Sequence, residues 1–106
     1  MEGFQNVKLK KKVKVKNKLG LHTRPATMIV KLLQNTKSQV EFTCRKETIN
    51  AKSILSILML AATRNSLITI TVEGNDSEQV MESLVAAFEN GFGENIHESQ
   101  KQRVAP

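Results

Sequence analysis

The 106-residue chain has a single cysteine, Cys44, so no internal disulfide can form and a reducing compartment is expected. Metal ligands are equally sparse. The only histidines are His22 and His97, Cys44 falls on an apolar row, and the acids after residue 72 show no ligand spacing around any of them. Neither a metal nor a cofactor is expected. Tryptophan and tyrosine are absent, and the four phenylalanines, Phe4, Phe42, Phe88 and Phe92, do not interleave with the lysines. A base-stacking platform is therefore lacking, and nucleic acid is not an expected partner beyond weak, salt-sensitive attraction. No apolar run approaches the ~20 residues of a membrane-spanning helix. The longest, Ile54 to Ala62, is interrupted by Ser56. Lys8 to Lys18 alternates basic and apolar character, unlike a targeting peptide, in which an apolar block follows the charges. A cytoplasmic protein without membrane insertion is the resulting expectation.

What the chain has in quantity is positive charge, unevenly placed. Residues 1–64 contain fourteen basic and three acidic side chains, and residues 65–106 contain two basic and seven acidic ones. Such a dipolar distribution steers an acidic partner toward the first half without selecting its class.

Hydrophobic periodicity divides the chain into seven elements. Val7–Lys16 alternates apolar residues with lysines, broken only at Lys11, and predicts a strand with one wet face. Ala26, Ile29, Val30 and Leu33 recur at helical spacing through Asn35. Gln39–Arg45 alternates again, with Val40, Phe42 and Cys44 inward, and Thr48–Asn50 is a short return strand. Ser53 suits the N-cap of a helix ending near Leu60, in a register that buries Ile54, Ile57, Leu58 and Ala61 and turns Leu55 and Met59 toward water. Leu67–Val72, with Ile68 and Ile70 between threonines, is a further strand. Asp76 and Gln79 stand at capping-box spacing ahead of a final helix whose stripe is Val80, Met81, Leu84, Val85 and Phe88, stopped at Asn90-Gly91. The predicted fold is α+β, in the order β-α-β-β-α-β-α, with three helices on one face of a four-stranded, mostly antiparallel sheet. Residues 1–6 read as an N-terminal extension, 7–94 as the folded domain and 95–106 as a polar, flexible tail.

His22 lies immediately before the first helix, in Gly20-Leu21-His22-Thr23-Arg24-Pro25-Ala26. If it is the N-cap, the unpaired amides of Thr23 and Arg24 lie beside its ring, while Pro25 loses little in the first turn. A phosphoryl group on an imidazole nitrogen would then meet amide donors, the helix dipole and the Arg24 guanidinium. Histidine is partly neutral near pH 7 and forms a P–N bond that a second nucleophile can attack. Taken alone, the same residue is also compatible with an inert hydrogen-bonding cap. Ser53, likewise, is by itself a good cap and nothing more.

The stretch from Gly20 to Ala26 resembles the active-site signature of the HPr phosphocarrier proteins of the bacterial phosphoenolpyruvate-dependent sugar phosphotransferase system. Asn50-Ala51-Lys52-Ser53-Ile54 is similar to the family's second signature, around a regulatory serine, and Phe88 to Glu94 to its usual ending. The resemblance covers about residues 7–94. It departs at Ser56, where members with a regulatory serine usually have glycine, and at Ala61–Asn65, which replaces a glycine-bearing loop.

The resemblance implies an HPr-like open-faced β-sandwich and a protein phosphoryl carrier, itself a substrate of phosphotransferases rather than a stand-alone enzyme. His22 matches the histidine that accepts a phosphoryl group on Nδ1 from phosphorylated enzyme I and passes it to a sugar-specific enzyme IIA. Arg24 matches the arginine assisting it, and Ser53 the serine modified by HPr kinase/phosphorylase. Lys52, Leu55 and Met59 fall on the helix surface that docks the partners in that family, and the chain is expected to be a monomer. A regulatory interaction module, controlled at Ser53 without phosphoryl flux to sugar transport, is the alternative.

Overall fold

The computed structural model describes residues 7–94. The N-terminal extension and the C-terminal tail read from the sequence lie outside the described residues. The elements are β1 (Val7–Lys14), α1 (Thr23–Leu33), β2 (Gln39–Cys44), β3 (Glu47–Asn50), α2 (Ile54–Leu60), β4 (Leu67–Gly74), α3 (Ser77–Glu89) and a short 3-10 turn, η1 (Gly91–Gly93). All three strand pairings are antiparallel, in the sheet order β1-β4-β2-β3. The predicted fold class and element order hold.

β4 is central because its inward row, Ile68, Ile70 and Val72, is fully buried, and on β2 Val40 and Phe42 are opposite Val72 and Ile70. Alternation sends Thr69 to the other face, where no helix lies over the sheet. The helices meet the inward row with Ala26, Ile29 and Leu33 from α1, Ile57 and Leu60 from α2, and Val80, Met81, Leu84 and Phe88 from α3. Phe42, Phe88 and Phe92 form a chain of edge-to-face rings, with centroids 5.6 Å and 4.9 Å apart. Cys44 is buried in this core, as its place in the alternation indicates.

Two local expectations need correction. In α2, Ile54 is exposed and Leu60 buried, and Ala61 is an exposed left-handed C-cap with φ 53°. The helix ends at Leu60 as expected, but Leu60 instead of Ile54 or Ala61 takes the inward place. Asp76 does not complete a capping box. Its backbone has ψ 24° instead of the extended value of a cap, and its carboxylate accepts from Lys37 N at 2.9 Å and from the Ser38 hydroxyl. Lys11, where the apolar alternation of β1 breaks, is exposed between the half-buried Leu9 and the buried Val13. There it lines an open groove with Leu9 and three glutamates of α3, Glu78, Glu82 and Glu89.

Candidate functional site

The loop from Val15 to His22 is held by backbone bonds to the segment after α2. Val15 N–H donates to Ser66 O at 2.9 Å, Asn65 N–H to Val15 O at 2.7 Å and Leu21 N–H to Ala62 O at 3.0 Å. Gly20 makes the close approach possible. Its φ is +69°, and a Cβ at this position would lie 2.3 Å from Ala62 O.

This loop delivers His22 to the N-cap of α1. The residue is extended (φ −84°, ψ −165°), and its carbonyl accepts from Ala26 N–H at 3.0 Å, closing the first helical turn. Its side chain makes no capping bond, so the ring is spared for other use and the first-turn amides are not taken by it. The imidazole is 31% exposed. Thr23 and Arg24 follow as the first two helical residues, both exposed, and Pro25 is buried at the third. His22, Thr23 and Arg24 thus stand together as the N-cap and first two residues of one helix. No acid occupies that first turn.

The other predicted residues form a second group. Leu55 and Met59 are 67% and 70% exposed, one helical turn apart on α2. Ser53 caps α2, its Oγ accepting from Ser56 N–H at 3.2 Å. Lys52 Nζ reaches Thr36 O, just past α1, at 3.3 Å. Since Leu21, before α1, binds Ala62, after α2, the two helices run antiparallel. Met59 is therefore near the His22 end of the face, and Lys52 and Ser53 are at the opposite end. Leu19 and Met28 add exposed apolar surface around His22 that the sequence reading did not single out.

It also missed two polar residues. Glu94, directly after η1, has Oε2 3.0 Å and Oε1 3.3 Å from His22 Nε2. Asn17, 1% exposed, donates through Nδ2 to Gly91 O at 2.9 Å and to Glu94 Oε1. The signal for Glu94 was its place in the Phe88–Glu94 ending, but nothing local points from that ending to residue 22.

The family model for the PTS HPr component phosphorylation site matches residues 9–90, which include the whole of this loop and both helices of the face. The chain belongs to the PTS HPr family. The phosphocarrier protein HPr of Chlamydia muridarum is 42% identical over 80 residues, covering 76% of this chain and 77% of the relative. An HPr-like protein, Crh, of Halalkalibacterium halodurans is 38% identical over 81 residues, covering 76% and 96%. Among solved structures, HPr-C-His from Thermoanaerobacter tengcongensis superposes with a TM-score of 0.79 at 33% identity, over 82% of this chain and 98% of that one. The chain is thus an HPr phosphocarrier of the phosphotransferase system. Among the described residues no cluster of histidine, cysteine and acidic side chains could hold a metal ion, and no helix is long and apolar enough to cross a membrane.

Proposed function

We propose that residues 7–94 carry a phosphoryl group on Nδ1 of His22, received from phosphorylated enzyme I and delivered to a sugar-specific enzyme IIA. The supporting observation is the partly exposed imidazole, uncommitted to capping, beside the free amides of Thr23 and Arg24. In the forward step the Nδ1 lone pair attacks phosphorus, the N–P bond forms, and the donor's bond to phosphorus breaks with its electron pair leaving on the donor. The three phosphoryl oxygens then face the helix N-terminus, with Arg24 free to neutralise charge as it develops. Delivery to enzyme IIA reverses the roles. Leu55 and Met59, with Lys52 and Arg24 at the rim, provide exposed apolar surface for a short-lived protein encounter. The carrier acts as a cytoplasmic monomer.

The decisive experiment supplies enzyme I, Mg²⁺ and phosphoenolpyruvate. An acid-labile phosphoryl group should appear on the wild-type chain and be absent from H22A. A folded wild-type protein that takes no label would defeat the proposal.

Ser53 is the proposed regulatory site, phosphorylated by an HPr kinase/phosphorylase. Its hydroxyl stands on the face that carries Leu55 and Met59. A phosphate there adds about two negative charges to the docking surface without removing the amide partner the cap already has. Binding of enzyme I should weaken on modification. In the regulatory alternative the same charge is the output, read by another protein, and His22 stays idle. Acid-stable, kinase-dependent label on wild type but not S53A, measured beside His22 labelling, separates the two: carriers label at both residues, a pure regulator at Ser53 alone.

A further inference from the structure

The carboxylate on His22 comes from outside the stretch that the family model matches, since Glu94 follows residue 90, and an amide within that stretch, Asn17, holds it. We infer that Glu94, fixed by Asn17, is a positioning residue that keeps the proton of His22 on Nε2 and so presents Nδ1 as the nucleophile. This rests on His22 being the phosphoryl acceptor.

The geometry begins in the core. Phe92 packs edge-to-face on Phe88 and is buried despite a left-handed backbone (φ 54°), a conformation costly for a non-glycine residue and here stabilised by that packing. The resulting turn closes with Glu94 N–H donating to Gly91 O at 2.9 Å and turns the Glu94 side chain back toward α1. Asn17 then ties the turn to the His22 loop. Its Nδ2 donates to Gly91 O and to Glu94 Oε1. Its Oδ1 is buried without a partner. The reversed amide would set that oxygen against a carbonyl and a carboxylate, so only the observed orientation is tolerable. A buried amide that sacrifices one of its own hydrogen bonds to hold a carboxylate is an arrangement retained for the carboxylate's sake.

Glu94 in turn has acceptor oxygens at 3.0 and 3.3 Å from Nε2. A carboxylate accepts only, so Nε2 must be a protonated nitrogen, and in the neutral ring Nδ1 is then the one that carries the lone pair. When Nδ1 attacks phosphorus the ring gains one positive charge and loses no proton. Glu94 compensates that charge from the far side of the ring, on transfer in and again on transfer out. This is the role of a third group that orients a base, assigned here to a nucleophile.

The test reads the ring before any chemistry. Imidazole ¹⁵N shifts of His22 near neutral pH should show protonated Nε2 and bare Nδ1 in the wild-type protein. In E94A, whose substitution lies at the surface end of the turn, the two nitrogens should move toward a tautomer mixture, with the amide spectrum of the core unchanged. N17A should do the same more weakly. Phosphoryl transfer from enzyme I to E94A should fall about 10- to 100-fold, the factor for losing a hydrogen bond to a charged group. Wild-type Nδ1 found protonated, or identical ring shifts in wild type and E94A, would overturn the inference. Should the shifts behave as stated while neither protein accepts a phosphoryl group, the positioning device stands and the carrier reading is the one that fails.

Discussion

Gly20 bears the constraint that places His22. Its left-handed backbone lets Leu21 reach Ala62, and the space a side chain would need is filled by a backbone carbonyl. G20A should therefore destabilise the fold by at least the ~1–3 kcal/mol of a left-handed non-glycine residue, because the Ala62 contact adds a clash. Urea denaturation should show a lower midpoint with little change in slope, and labelling of His22 should slow in protein that is still folded. An unaltered midpoint would mean the loop is not anchored through this approach. At this scale the sequence is informative where partners are neighbours. The amides next to His22 belong to the following two residues, and a glycine two positions before it permits the turn. The Glu94 contact spans 72 residues and depends on a positive φ at Phe92, where the usual glycine signal is absent. No rule of spacing reaches it.

Elements were legible where one period dominates. β4 and α3 have inward rows of large apolar residues, and those rows are buried except at Val85 of α3, which is half-buried. α2 is seven residues of almost continuous apolar character, so several registers bury similar area and only packing against α1 and β3 selects Leu60 over Ile54. Asp76 illustrates a tertiary bond overriding a local motif. The Lys37 backbone N–H and then the Ser38 hydroxyl hold its carboxyl below the ordinary value of 3.8, against a smaller opposing effect of desolvation. The bonds join the start of α3 to the chain entering β2. Because the folded-state pKa is the lower one, the unfolded chain binds the extra proton. The contribution is complete above the unfolded value and is lost as pH falls through the folded one. Urea midpoints of wild type and D76A should differ most near neutral pH and converge below about pH 3.8. A gap that stays constant down to pH 2.5 would show that the Asp76 charge is not what joins these elements.

Across the whole molecule, the side of the sheet away from the helices gathers the basic residues of β1. Lys8, Lys10, Lys12 and Lys14 alternate along this edge strand and stand opposite Glu73, Thr71, Thr69 and Leu67 of β4. Lysines on an edge discourage a further strand from adding there. They also create a row of charge that any polyanion will feel. Between the charges stand threonines and no aromatic ring, so bases have nothing on which to stack. Binding to single-stranded RNA should then be electrostatic alone, with a log–log salt slope of about −3 if all four lysines meet phosphates, from roughly −0.7 per contact. It should be measurable at low salt and vanish near physiological ionic strength. Replacing the four lysines with glutamine should abolish it and leave His22 labelling by enzyme I intact, since the helix start of α1 is on the other layer. Saturable binding that survives physiological salt, or loss of labelling in the four-lysine variant, would instead make the open face part of the carrier's working surface.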